Sequence, residues 1–215
     1  VRGLVLAVVL VSSGVTPWGG ALAADSKPVR SLLAIRDSQV VRQHWDLSCG
    51  AAAIATVLTY QLGRPVSERE AAFSMLRHGD AQLIRARLGF SLLDLKRLAQ
   101  SYGLQAVGYG GLTLDDLVAL APVIAPIQVY GFGHFVVVRG RLGDRLLVAD
   151  PAFGNRTMTL RDFGHAWPSG VGFVIVRPDE PKPPNRIGAP AELFLAPSGT
   201  ALRSAEASLR NLGGR

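Results

Sequence analysis

Cys49-Gly50-Ala51-Ala52-Ala53-Ile54-Ala55-Thr56-Val57-Leu58-Thr59-Tyr60 is the stretch on which the reading of this chain turns. It is rich in alanine and apolar nearly all round, the pattern of a helix buried on every side. Gly63 and Pro65 end it. The approach, Val40 to Ser48, is polar and turn-rich. A thiol therefore stands at the N-terminus of a buried helix, where unpaired amides and the helix dipole favour a thiolate. It is the only cysteine among 215 residues, so it forms no internal disulfide.

Downstream, Ser67 to Arg77 reads as a second helix, with Ser67 and Glu70 as a capping box and Gly79 past its end. Residues 80–90 read as a loop. Ser91 opens a third helix, with Asp94 at its third position and Gly103 closing it. Thr113 to Leu120 is a short fourth helix, capped by Thr113. After Pro122 the pattern changes to short β-branched runs: Val123–Tyr130, His134–Arg139, Arg145–Ala149 and Gly172–Arg177. Gly140 to Asp144 is a hairpin turn, and Arg161 to Trp167 a helical crossing between strands. Helices first and an antiparallel sheet after is an α+β layout, with N-terminal helices packed on a C-terminal antiparallel sheet.

Upstream, Arg2, the apolar run Leu4 to Val11, the breaks at Pro17 and Gly19-Gly20, and Ala21-Leu22-Ala23 form a signal-peptide pattern over residues 1–23. The run falls short of the ~20 residues of a membrane span. The expectation is a mature chain that begins near Asp25 and works outside the cytoplasm, periplasmic or secreted, with no integral span after cleavage. Residues 24–37 read as an extended arm and 38–177 as the domain. Residues 178–190 hold five prolines and read as a linker, leading into a tail to Arg215 with a loosely packed helix near 198–212 or none. In an oxidising compartment a lone thiol is a liability unless it is buried, paired or used.

The composition is that of a globular chain, 48% hydrophobic and 18% charged. The net charge of +7 comes from basic residues scattered singly, without the aromatic and basic stripe that single-stranded nucleic acid selects, so nucleic acid is not expected as a partner. His44, His78 and His165 lack metal-ligand spacing, so no metal or other cofactor is expected.

Two further residues make Cys49 chemically interesting. His134 opens a Val-rich strand, flanked by Gly131 and Gly133, and can reach a helix N-terminus packed against that strand to take the thiol proton. Asp150 ends the next strand, just before Pro151, and can accept a hydrogen bond from the second imidazole nitrogen and fix the tautomer. Gln43 lies six residues before Cys49, where its amide can donate to an oxyanion beside the Cys49 backbone N–H. Trp45 is a candidate groove aromatic. Gly50 and Gly133 are candidates for leaving room for a substrate backbone. Singly, each has a plainer reading: a small buried hydrophobe, a core histidine, a turn, a surface loop.

Their order removes most of that ambiguity. Gln43-x5-Cys49-Gly50-x-Ala52, then Gly133-His134-Phe135-Val136-Val137-Val138, then Val148-x-Asp150-Pro151-Ala152-x-Gly154 resembles the bacteriocin-processing, double-glycine peptidases, a papain-like cysteine peptidase family. Gly89-Phe90-Ser91-Leu92, Pro126 and Phe163-x3-Trp167-x2-Gly170 extend the likeness over residues 38–177. The resemblance implies a papain-like fold, with Cys49 as nucleophile, His134 as base, Asp150 as its orienting partner and Gln43 in the oxyanion hole. It differs in one place, where Ser48 stands in front of the cysteine instead of an acidic residue or Asn. With a signal peptide and no ATP-binding motif, the chain is similar to the stand-alone secreted branch that includes the peptidase of functional-amyloid (Fap) secretion systems. The implied substrate is a peptide or protein destined for export, with outer-membrane secretion components as further partners. Two other readings use the same groove: a module that holds an export substrate without cutting it, and a cell-wall peptidase of the NlpC type, which the Gln43 spacing and Asp150-Pro151 fit less well.

Overall fold

The computed structural model of the protein describes residues 31–188. The signal-peptide segment, the first residues of the expected arm and the tail from residue 189 lie outside the described residues. In chain order the elements are α1 (Leu32–Arg36), α2 (Cys49–Thr56), α3 (Glu68–His78), α4 (Ala81–Ala86), α5 (Leu92–Ser101), β1 (Gln105–Tyr109), α6 (Leu114–Ala119), β2 (Val123–Val129), β3 (Phe132–Leu142), β4 (Arg145–Asp150), β5 (Gly154–Thr159), α7 (Leu160–Ala166) and β6 (Gly172–Val176). None of these helices is long and apolar enough to cross a membrane.

The six strands form one antiparallel sheet in the order β1-β6-β2-β3-β4-β5. Alternation along β3 sends Val137 to one face and Val136 and Val138 to the other. On the first face Val137, Ile124 and Phe173 meet Ile54, Leu58 and Leu95 of the helices. On the second, Val136, Val138 and Ile127 meet Leu117 and Phe163. The result is an α+β fold in three layers, with α2, α3 and α5 on one side of the sheet and α6 and α7 on the other. The α2 helix is the central element: Gly50 to Thr56 are all buried. It runs on as a π-helical turn over Val57–Gln61, whose Gln61 is also buried. Ser67, Ser91 and Thr113 cap their helices through the capping boxes that the sequence indicates.

Four parts differ from the sequence reading. The arm is not wholly extended, because Ser31 caps a one-turn helix whose residues remain unburied. Residues 80–90 are not all loop: Asp80 accepts from the amides of Gln82 and Leu83 and starts α4, which buries only Ile84. Two strands, β1 and β5, join the sheet at its edges. And residues 178–188, read as linker, pack against the domain. Ile187 there is fully buried, the Gln61 amide donates to Pro184 O (2.8 Å), and Asn185 donates to Arg139 O (2.7 Å).

Arg139 sits at a bulge in β3 with its guanidinium inside the protein. It donates to Ile187 O, Asn155 Oδ1 (2.7 Å), Gln39 Oε1 (2.9 Å) and Ser38 O (3.5 Å). A buried cation needs such a full set of acceptors.

Candidate active site

Cys49 is the first residue of α2 and half-buried. The helix packs on β3, which brings the sulfur to His134 and to the backbone amide of Phe135. Phe135 stands opposite Pro126 in the β2–β3 register. A proline has no N–H to give the ladder, so it fits a position where the paired backbone faces away. Burial by itself raises the Cys49 pKa. The His134 side chain and the amides of Phe135 and Gly50 outweigh it and hold the thiol below its ordinary value.

His134 donates from Nε2 to Asp150 Oδ1 at 2.8 Å, which leaves Nδ1 for the thiol. Burial lowers its pKa, but Asp150 and Cys49 overcompensate and push it up to about 9. Asp150 is fully buried at the end of β4. Its Oδ1 also accepts from the amides of Ala152 (2.9 Å) and Phe153 (3.3 Å). Its Oδ2 accepts from Arg156 Nε (2.9 Å) and Nη2 (2.8 Å). Burial raises the Asp150 pKa, and these neighbours, His134 and Arg156 foremost, bring the net value below the carboxylate norm. The arrangement favours thiolate, imidazolium and carboxylate in one line, the charge state in which a cysteine is nucleophilic at neutral pH.

Beside the sulfur opens a cleft of about 780 Å³, lined by the β2–β3 hairpin around Tyr130 and Phe132, by Leu88 and Phe90, and by Phe153. Gly133 lines it too, and a Cβ there would meet nothing within 4 Å. The structure thus brings together Cys49, His134, Asp150 and Gly133. Three other candidates are placed differently. Gly50 does not open the cleft: it is buried, and a Cβ would meet Phe135, Leu95 and Phe90 at 3.2–3.3 Å, so its small size serves the packing of α2. Trp45 is half-exposed and lies outside the cleft lining, where Asp46 and Leu47 represent its loop. Gln43 turns its amide to Trp45 O (3.2 Å), and its Oε1 is buried without a partner. Its backbone N–H donates to Pro151 O (2.9 Å), which ties the Gln43 loop to the Asp150 turn.

Three residues of the site were not foreseen. Arg156 holds Asp150. Arg42 donates to Pro151 O (3.1 Å) and Ala152 O, fixing the same turn. Glu68, at the start of α3, reaches under the loop before Cys49 and accepts from Ser48 and His44. The departure at Ser48 is thus matched by a carboxylate from another helix. Nothing local marks these three. An arginine in a polar strand and a glutamate in a capped first turn look like surface residues until the fold is known.

A helix-borne thiol facing a strand-borne imidazole across an antiparallel sheet defines the papain-like class of cysteine peptidases. Within that class the chain belongs to the Peptidase C39 family, whose sequence profile matches residues 37–180. It is similar to two proteins named "Probable functional amyloid protease FapD". The one from Pseudomonas aeruginosa is 36% identical over 162 residues, covering 74% of this chain and 69% of that protein. The one from Pseudomonas fluorescens is 34% identical over 185 residues, covering 81% and 80%. Among solved structures it is similar to a double glycine motif protease from an AMS/PCAT transporter, determined with the leader peptide. That match has a TM-score of 0.50 and 27% identity over 63% of this chain and 89% of the other. The peptidase domain of Streptococcus ComA shares the fold, with a TM-score of 0.54 and 19% identity over 64% and 97%.

Proposed function

We propose that this cysteine peptidase cleaves a peptide or protein on its way through a secretion system, outside the cytoplasm, by a Cys49–His134–Asp150 mechanism. The observation that carries this reading is the line from Cys49 through His134 to the buried Asp150, with the thiol pKa lowered and the imidazole raised to about 9. In the first half of the reaction the Cys49 sulfur bonds to the scissile carbonyl carbon, and the carbonyl electron pair moves to oxygen. When the intermediate collapses, the C–N bond breaks and the departing amine takes the proton of His134. In the second half His134 removes a proton from water, the hydroxide attacks the thioester, and Cys49 leaves as thiolate. Gln43 and the Cys49 amide are the proposed oxyanion donors, with the Gln43 amide turning from Trp45 O when substrate binds.

The substrate side rests on three supports. The open backbone at Gly133 suits an extended peptide with small residues at the cut. The relatives are named for a functional amyloid, and the solved relative was determined with a leader peptide. The signal-peptide pattern of residues 1–23 supports a reaction in the periplasm or beyond, with outer-membrane secretion components as proposed partners.

The test is alkylation by iodoacetamide across pH, read by mass spectrometry, on a chain starting at Asp25. Wild type should react well below pH ~8.5, the free-thiol value, and His134→Ala should lose that reactivity. Incubation with the amyloid subunit of the same secretion system should then yield fragments with wild type and none with Cys49→Ala. An inert thiol, or one indifferent to His134, would sink the mechanism. A reactive thiol that leaves the subunit whole points to the module that holds a substrate without cutting it.

A further inference from the structure

The loop Gln43–Ser48 carries the proposed oxyanion amide at one end and adjoins the nucleophile at the other. Its own bonds converge on Trp45 O, and the rest of its shape is set from α3. Ser67, Ser91, Thr113 and Thr159 each accept, through the side chain, the amide of the third residue on. Ser48 holds the same place before α2 and makes no such bond. Its hydroxyl proton goes instead to Glu68 Oε1 and Trp45 O (2.7 Å to the latter). The N-terminal amides of α2 are thereby left without a side-chain cap.

Glu68 is 4% exposed, a rare state for a carboxylate that has no arginine or lysine partner among the described residues. Burial raises its pKa, and the hydrogen bonds of Ser48, His44 and Trp45 reverse that shift. The His44 N–H donates to Oε1 (2.8 Å) and His44 Nδ1 to Oε2 (2.8 Å). The buried carboxylate therefore gathers the backbone of His44 and Trp45 and the hydroxyl of Ser48, that is, the whole turn between Gln43 and Cys49. What it holds is strained in one respect. Among the described residues, Gln43 Oε1 is the buried side-chain polar atom with no partner. A loop free to relax would turn such an acceptor to water.

We infer that Glu68 is a positioning residue for the oxyanion loop: it draws Ser48 off the helix cap and fixes the Gln43–Ser48 turn, from which the Gln43 amide has only to swing off Trp45 O to meet the reacting carbonyl. The inference rests on the cysteine-peptidase mechanism proposed above. It separates from it because alkylation of a thiolate needs no oxyanion hole, whereas addition to a carbonyl does.

The experiment compares two reactions of Cys49 in the chain starting at Asp25. One is alkylation by iodoacetamide across pH. The other is binding of acetyl-Leu-Gly-Gly-aldehyde, whose hemithioacetal oxygen occupies the oxyanion position. In Glu68→Ala, aldehyde affinity should fall roughly 10²-fold, the scale of one lost oxyanion donor, with the alkylation profile unchanged. Gln43→Ala should lose as much, and the double variant little more, because both remove the same element. Ser48→Ala and Glu68→Gln disturb the network less and should show smaller losses of the same kind. They serve if Glu68→Ala does not fold.

Unchanged aldehyde binding in all the Glu68 and Ser48 variants overturns the inference. So does a loss that adds in full to that of Gln43→Ala, or one that alkylation shares. A wild type that is alkylated but does not bind the aldehyde refutes the oxyanion loop, and the part of Glu68 with it. A wild-type thiol inert to both reagents refutes the mechanism itself.

Discussion

Cys49 and His134 shift each other's pKa values in opposite directions in the folded chain, and this gives stability a definite pH dependence. Folded, the imidazole stays protonated to about 9 while the thiol pKa is lowered. Unfolded, histidine titrates near ~6.5 and cysteine near ~8.5. A raised histidine pKa contributes stability that is present below ~6.5 and lost as pH rises through about 9. A lowered cysteine pKa contributes stability that is present above ~8.5 and lost as pH falls through the folded value. Between ~6.5 and ~8.5 the two contributions run in opposite senses, the histidine's falling and the cysteine's rising with pH, so they offset each other. The expected result is a melting temperature with a smaller slope from this pair than the histidine alone would give. In Cys49→Ser the histidine contribution stands alone, and the midpoint should fall as pH rises through the same window. Scanning calorimetry of both proteins from pH 6 to 9 checks this. Parallel curves would refute the ion pair.

The same residue scale shows what a sequence can carry. Cys49, His134 and Asp150 were legible because each sits at a boundary that local pattern defines: a helix start, a strand start, a strand end before Pro151. Gln43 was legible only by spacing, and its side chain rests on Trp45 O. Gly50 was misread because a glycine at a site suggests open space, whereas three side chains crowd it.

At the scale of elements, the two unread strands are the two edges of the sheet. A central strand is buried on both faces and reads as a continuous apolar run. In β1 only Ala106 is buried, and in β5 only Gly154. With one partner strand and little cover, neither needs a hydrophobic pattern. Yet β5 carries Arg156, which fills Oδ2 of the buried Asp150. Arg156→Met leaves that oxygen without its cation and should cost about 1–3 kcal/mol, read as a lower urea midpoint. The carboxylate would then hold a proton to higher pH and support the imidazolium less, so the acid limb of Cys49 alkylation should move to higher pH. Arg156→Lys should recover part of that shift. A variant that loses stability while its alkylation profile stays put would make Arg156 purely structural.

At the scale of the whole molecule, composition misled at the C-terminal boundary. Five prolines in residues 178–190 read as linker, because prolines lower the count of apolar residues that signal a core. One isoleucine decides otherwise. Ile187 is fully buried beside Leu58 and Leu62 in the helical-side core, and the Arg186 N–H donates to Gln61 Oε1 (2.8 Å). Ile187→Ala should cost about 2–5 kcal/mol by emptying that pocket. Urea unfolding measures it, and a change within error would return the segment to the status of a linker.

Arg139 has one more consequence, for protein engineering. A single guanidinium grips Ser38 O near the start of the described residues and Ile187 O near their end. Two atoms bonded to one planar group lie within a few ångströms of each other, so the stretch from Ser38 to Ile187 nearly closes into a ring. Such a ring can be cut elsewhere, since a fold tolerates new ends in an exposed turn when its old ends already meet. A short bridge from Gly188 back to Ser38, with new termini opened in the β3–β4 turn between Gly143 and Asp144, would keep every element of the sheet.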